Sequence, residues 1–148
     1  MIMLYAVAVA IHLLVAVLGV GLVGAIPITA RIARRGAAAV SAAGQARSVA
    51  PILAVLLLAT QLAFLVMVIT GVLLDVAMAG AFHRTAWFQV SIAVLLVVGL
   101  SHARARAALR SARAPDGPRE AALGRVERWG VVMCVGVATL ALLMQVKP

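Results

Sequence analysis

The sequence predicts an all-α membrane protein, a four-transmembrane-helix bundle, and three observations carry that prediction. Apolar runs at about residues 2–30, 50–74, 85–103 and 128–146 occupy most of the 148-residue chain. A helix rises about 1.5 Å per residue, so about 20 apolar residues cross a hydrocarbon layer some 30 Å thick. The runs lack the polar–apolar alternation of a barrel strand, and in lipid only helices or closed barrels satisfy the backbone. The third observation is the placement of charge. Arg31, Arg34, Arg35 and Arg47 lie between runs one and two, and Arg104, Arg106, Arg110, Arg113, Arg119, Arg125 and Arg128 between three and four, whereas the remaining connection carries only Arg84 and Asp75. Lys and Arg accumulate in cytoplasmic loops, so the expected topology is N-out/C-out.

Composition narrows the function classes. Hydrophobic residues make up 66% of the chain and charged ones 11%, which leaves a single integral membrane domain, 1–148, and no room for a soluble catalytic unit. The first run is too long for a signal peptide and is expected to stay as a span. The net charge of +9 is carried by the loop arginines without any aromatic or base-reading motif, so no nucleic acid is expected as a partner, and the lipid bilayer with its anionic headgroups is. The lone Cys134 excludes an intramolecular disulfide and a cysteine-based metal cluster, and is expected to act as small apolar filler.

Each span has its own signals. In the first, His12, Ala16, Gly19 and Val23 share a stripe at 100° per residue while Gly21 and Ala25 lie opposite, and both stripes are candidate packing faces or, beside the polar His12, a slot for a flat cofactor. Pro27 is expected to kink or end that helix. Residues 36–47 form a connection that is helical in part, and Ser48 before Pro51 marks a helix start. The second span holds Thr60, Gln61 and Met67 and closes with Thr70-Gly71 and Asp75. The short connection that follows contains His83, with Trp87 at an interfacial position. The third span reaches Ser101-His102, and its helix is expected to continue as an arginine-rich extension to about residue 112. Residues 114–118, Ala-Pro-Asp-Gly-Pro, are a turn signal, and Trp129 anchors the start of the last span.

No hydrolytic, phosphate-binding or zinc motif is present, and no carboxylate lies inside a span, which weighs against an enzyme of those classes and against a proton-coupled transporter. The chemistry rests on histidines. His12 sits roughly 14 Å below the outer boundary, where a polar ring needs a partner. Three readings stand for it: a hydrogen bond to Thr, Ser or Gln of a neighbouring helix, ligation of haem or a metal, and proton transfer. His102 closes the third span beside Arg104 and Arg106, as a snorkelling or capping residue or as a ligand. His83 is expected to be solvated. His102 falls about 10 Å deeper than His12, which argues against one haem between them. Met67 lies at nearly the depth of His12, and a His/Met pair is a known haem ligation type, although a methionine here also reads as core filler. Met3, Met78 and Met144 toward the outer side offer soft sulfur for Cu(I) without an organised spacing.

His12 followed by Gly19 and Gly21, Thr70-Gly71 ending the second span, His102 ending the third and a terminal Lys147-Pro148 together resemble a family of small bacterial membrane proteins of unknown function related to the CopD-like membrane domain. The pattern is also similar to the HemJ-type protoporphyrinogen oxidases. It departs from the latter in having Gly19 where a tryptophan stands, Ile28, Thr29 and Ala30 between Pro27 and the first arginine, and Ser101 in place of a tyrosine before His102. The resemblance implies a multi-pass protein of the bacterial inner membrane, with haem b as cofactor, His12 and His102 as cofactor-binding positions, and, if an enzyme, a protoporphyrinogen-oxidase-like oxidoreductase. The expectation is a haem- or redox-associated protein with His12, His102 and Met67 at the site. Copper passage, with His12 as the metal ligand together with Met67 and the outer methionines, is one alternative. A non-catalytic subunit that meets a membrane-protein partner or its own copies through glycine faces is another.

Overall fold

The computed structural model describes residues 2–38, 43–114 and 118–145. They form four helices, α1 (Ile2–Ala38), α2 (Ala43–Ala77), α3 (Ala86–Arg113) and α4 (Arg119–Gln145), with no strand among the described residues. Each helix carries a stretch long and apolar enough to cross a membrane. The chain is thus a multi-pass integral membrane protein, and the outward Leu13, Leu58, Leu96 and Val135, all more than half exposed, are its lipid-facing surface.

The helices outrun the predicted spans at the arginine-rich end, called here the basic end. α1 has 37 residues, roughly 55 Å of helix, and passes through Arg31, Arg34 and Arg35 to Ala38. Pro27 therefore does not terminate it. α2 begins at Ala43, so Ser48 is not its start and Pro51 lies within it rather than in its first turn. α3 continues to Arg113 as the arginine pattern predicts. α4 begins at Arg119, well before residue 128, with the Pro118 carbonyl accepting from Ala122 N at 2.9 Å. The middle of the predicted turn, residues 115–117, and the terminal Lys147 and Pro148 lie outside the described residues.

α1 packs along both α2 and α4, and α4 along α3, while α2 and α3 touch more thinly. The core sits toward the basic end. Val23, Ile26 and Ala30 of α1, Leu53 and Leu57 of α2, Val98 and Ala105 of α3, and Val126 and Met133 of α4 are almost wholly buried there. Glu127 of α4 adds a polar tie, 3.0 Å from Arg34 and 4.0 Å from Arg31 of α1.

Two α4 residues explain how α1 tolerates Pro27. A proline lacks the N–H that would bond the carbonyl four residues back, here that of Val23. The Cys134 thiol lies 3.6 Å from this Val23 oxygen and donates to it, so Cys134 is a partner for a freed carbonyl and not only filler. Gly130 lets the helices come close enough for this, because a Cβ there would stand 3.0 Å from Pro27 Cδ and 3.1 Å from its N. Gly136 has the same role against Val98 of α3. Of the glycines singled out in the sequence, Gly19 packs toward Ala63 of α2, whereas a Cβ on Gly21 or Gly24 would meet nothing within 4 Å, so the second α1 stripe is not a packing face within the described chain.

Hydroxyls inside the spans bond to their own helices. Thr60 donates to the Leu56 carbonyl and Ser101 to that of Val97, both at 2.8 Å, which removes unsatisfied donors from lipid. At the opposite end the chain turns between α2 and α3 with Ala79 (φ 53°) and Gly80 (φ 73°) in the left-handed region, where glycine is at ease. Asp75 organises this turn. Its carboxylate accepts from Phe82 N at 2.9 Å and His83 N at 3.2 Å, and its second oxygen lies 3.1 Å from His83 Nδ1. Trp87 meets Phe82 at a tilt and Phe88 edge to face, with ring centroids 5.9 Å away in each case.

Candidate functional site: a groove around His12

Toward the end opposite the basic one, the tight core gives way to a groove of about 430 Å³. α1 supplies His12, Ala16, Gly19 and Val23, α2 supplies Thr60, Ala63, Phe64 and Met67, and α4 supplies Val137, Leu140, Met144 and Gln145. α3 contributes no lining residue. The α1 stripe anticipated from helical periodicity is thus one wall, and its small residues leave the space. The walls are almost entirely apolar, and the volume lies in the range of small-molecule and cofactor sites.

His12 is half-buried at the edge of this space. Its Nδ1 lies 2.8 Å from Thr70 Oγ1 across the α1–α2 contact, so the first of the three sequence readings, a hydroxyl partner on the next helix, is met. The ring has a second nitrogen, however, and a hydrogen bond at one does not exclude ligation at the other. The ring packs beside Gly71, where an added Cβ would stand 3.7 Å from His12 Cε1, an ordinary van der Waals distance. Met67, one turn before Thr70, lines the same groove, so His12 and Met67 are brought together as their matched depths implied.

His102 is elsewhere. It is buried, 7% exposed, and its Nε2 lies 2.8 Å from the Leu57 carbonyl of α2. A carbonyl only accepts, so Nε2–H donates and the ring braces α3 against α2. The expectation of a snorkelling or capping residue is overturned: the long basic extension of α3 carries the chain end onward and leaves His102 in the interior. Leu57 and Thr70 are thirteen residues apart on α2, roughly 20 Å along its axis, so the two imidazoles cannot share one iron. Arg113 bonds the Ala50 carbonyl at 2.9 Å, and Arg106 bonds Gln61. These two arginines hold the same thin α2–α3 seam. His83 is exposed, as expected, and held by Asp75.

Sequence reasoning missed Gly130, Gly136 and Glu127, together with the role of Cys134. A signal was present for the last: a cysteine one turn from a glycine in one span, and a proline in another whose lost N–H required a donor. Among the described residues no three His, Cys, Asp or Glu side chains gather into a metal-binding group. Compared with known protein families, curated proteins and solved structures, the chain has no match.

Proposed function

We propose that the chain is a haem-associated protein of the bacterial inner membrane, with its basic end in the cytoplasm and His12 as the cofactor ligand in the groove. One observation carries the reading: an imidazole and a thioether, His12 and Met67, line one apolar space of cofactor size. His/Met is an established axial pair for haem iron, and apolar walls with a tuned ligand set are what a protein supplies to such a group. The resemblance to the HemJ-type oxidases agrees with this choice of cofactor, and that to the CopD-like domain favours the copper reading below. The basic-end assignment rests on the arginines of α1, α3 and α4. When bound, haem would supply one-electron chemistry, and the chain's part is to hold it and keep water away. His102 is not part of this ligand set, because it does not line the groove and its contact on α2 lies about 20 Å along the axis from that of His12.

The test is a reduced-minus-oxidised absorption spectrum of the detergent-purified protein from haem-supplemented cells, beside His12→Ala and Met67→Leu. A Soret and α-band that vanish in His12→Ala support haem ligation, and no band in any sample removes it. One observation favours copper as a second reading. Met144 lines the same groove as His12 and Met67, and two thioethers with an imidazole suit Cu(I). Copper co-purifying with the wild type and lost in His12→Ala and Met144→Leu would move the assignment to that metal.

A further inference from the structure

We infer that Thr70 is a positioning residue that holds His12 as its Nδ1–H tautomer, so that the ring presents a bare Nε2 to the occupant of the groove. The inference rests on reading the groove as a ligand site, and it decides which ligands the site accepts. Thr70 Oγ1 lies 2.8 Å from the Val66 carbonyl, 3.2 Å from that of Met67 and 2.8 Å from His12 Nδ1. A hydroxyl has one proton, and carbonyl oxygens cannot donate. The proton goes to the helix carbonyls, as for the other hydroxyls of these spans, and Oγ1 accepts from His12 Nδ1–H. A neutral imidazole carries one ring proton, so Nε2 keeps its lone pair.

The reverse tautomer has a definite cost. In it Nε2 would carry the ring proton. Thr70 would then have to swing its proton from Val66 to Nδ1, giving up a 2.8 Å bond in surroundings with no water to replace it. A bare Nε2 takes a Lewis acid such as haem iron or Cu(I), or a hydrogen-bond donor. It rejects a bilayer-soluble ligand that offers only acceptors, such as a quinone carbonyl.

The experiment uses the full chain, labelled with ¹⁵N-histidine, in detergent and without added ligand, with the His12 ring signals assigned by their loss in His12→Ala. A pyridine-type shift at Nε2 and a pyrrole-type shift at Nδ1 are expected in the wild type and in Thr70→Ser. Thr70→Ala and Thr70→Val should move His12 toward a mixture of tautomers. A pyrrole-type Nε2 in the wild type overturns the inference, as does an unchanged tautomer in both Thr70→Ala and Thr70→Val. Haem titration of the same samples separates the two claims. Removing an outer-sphere partner of a ligating histidine lowers affinity about tenfold, so Thr70→Val should bind about tenfold more weakly and Thr70→Ser like the wild type. The expected tautomer in a wild type that takes up neither haem nor Cu(I) overturns the ligand reading and leaves the proton assignment standing.

Discussion

His12 and His102 both lean on α2 from a neighbouring helix, yet one faces a groove and the other a core. His102 is surrounded by Leu57, Val98, Ala105 and their neighbours in the tightly packed basic half, and its Nε2–H is spent on a main-chain oxygen. His12 belongs to the half where α3 no longer contributes to the walls, with one nitrogen on a hydroxyl and its ring partly exposed at the groove. The same side chain in the same solvent thus braces two helices in one half and lines a groove in the other. Packing density, and not residue type, makes the difference. Close helix approach at Gly130 and Gly136 tightens one half, and the small-residue stripe of α1 without an α3 wall loosens the other.

That contrast can be broken or sharpened by substitution, with unfolding measured in a mild detergent. The largest effect is expected from Gly130→Leu, which drives a side chain into the Pro27 backbone and should destabilise the bundle by about 3 kcal/mol. His102→Ala comes next. It removes an interhelical hydrogen bond and leaves a cavity in the core, for a loss of about 2 kcal/mol with any cofactor spectrum retained. His12→Ala should do the opposite, costing under about 1 kcal/mol because the groove is already open, while abolishing ligand binding. If the two histidine variants behaved alike in both measurements, the division into a structural and a chemical half would fail. Cys134→Ala should cost about 1 kcal/mol through the unpartnered Val23 carbonyl, and that loss should disappear when Pro27→Ala restores the missing N–H. Gly21→Ala should change stability by no more than a few tenths of a kcal/mol, because the added methyl points into lipid.

The histidines show how far the sequence reaches. Helical periodicity placed His12, Ala16, Gly19 and Val23 on one stripe, and depth matched His12 to Met67, so half of the candidate site was legible. Depth also separated His12 from His102, and the structure widens that separation to about 20 Å of α2. The choice between the Gly19 and Gly21 stripes was not legible. In a soluble helix the polar face marks what is outside, but here the lipid-facing and core-facing positions are both apolar and the pattern carries no such mark. Helix ends were misjudged for a related reason. Hydropathy reports where the bilayer stops, and α1, α2 and α4 go on beyond it through polar and arginine-bearing segments that keep the backbone bonded.

By itself the sequence determined that four apolar helices cross a bilayer and that their charges gather at one end, because lipid admits no unpaired backbone and little charge. Only the tertiary structure decided that His12, Met67 and Met144 line one groove, that His102 is a brace, and that Cys134 answers the carbonyl freed by Pro27. These outcomes depend on which helix faces meet. That is settled by side-chain packing and interhelical hydrogen bonds between residues far apart in the chain, and hydrophobicity along a membrane helix is nearly blind to both.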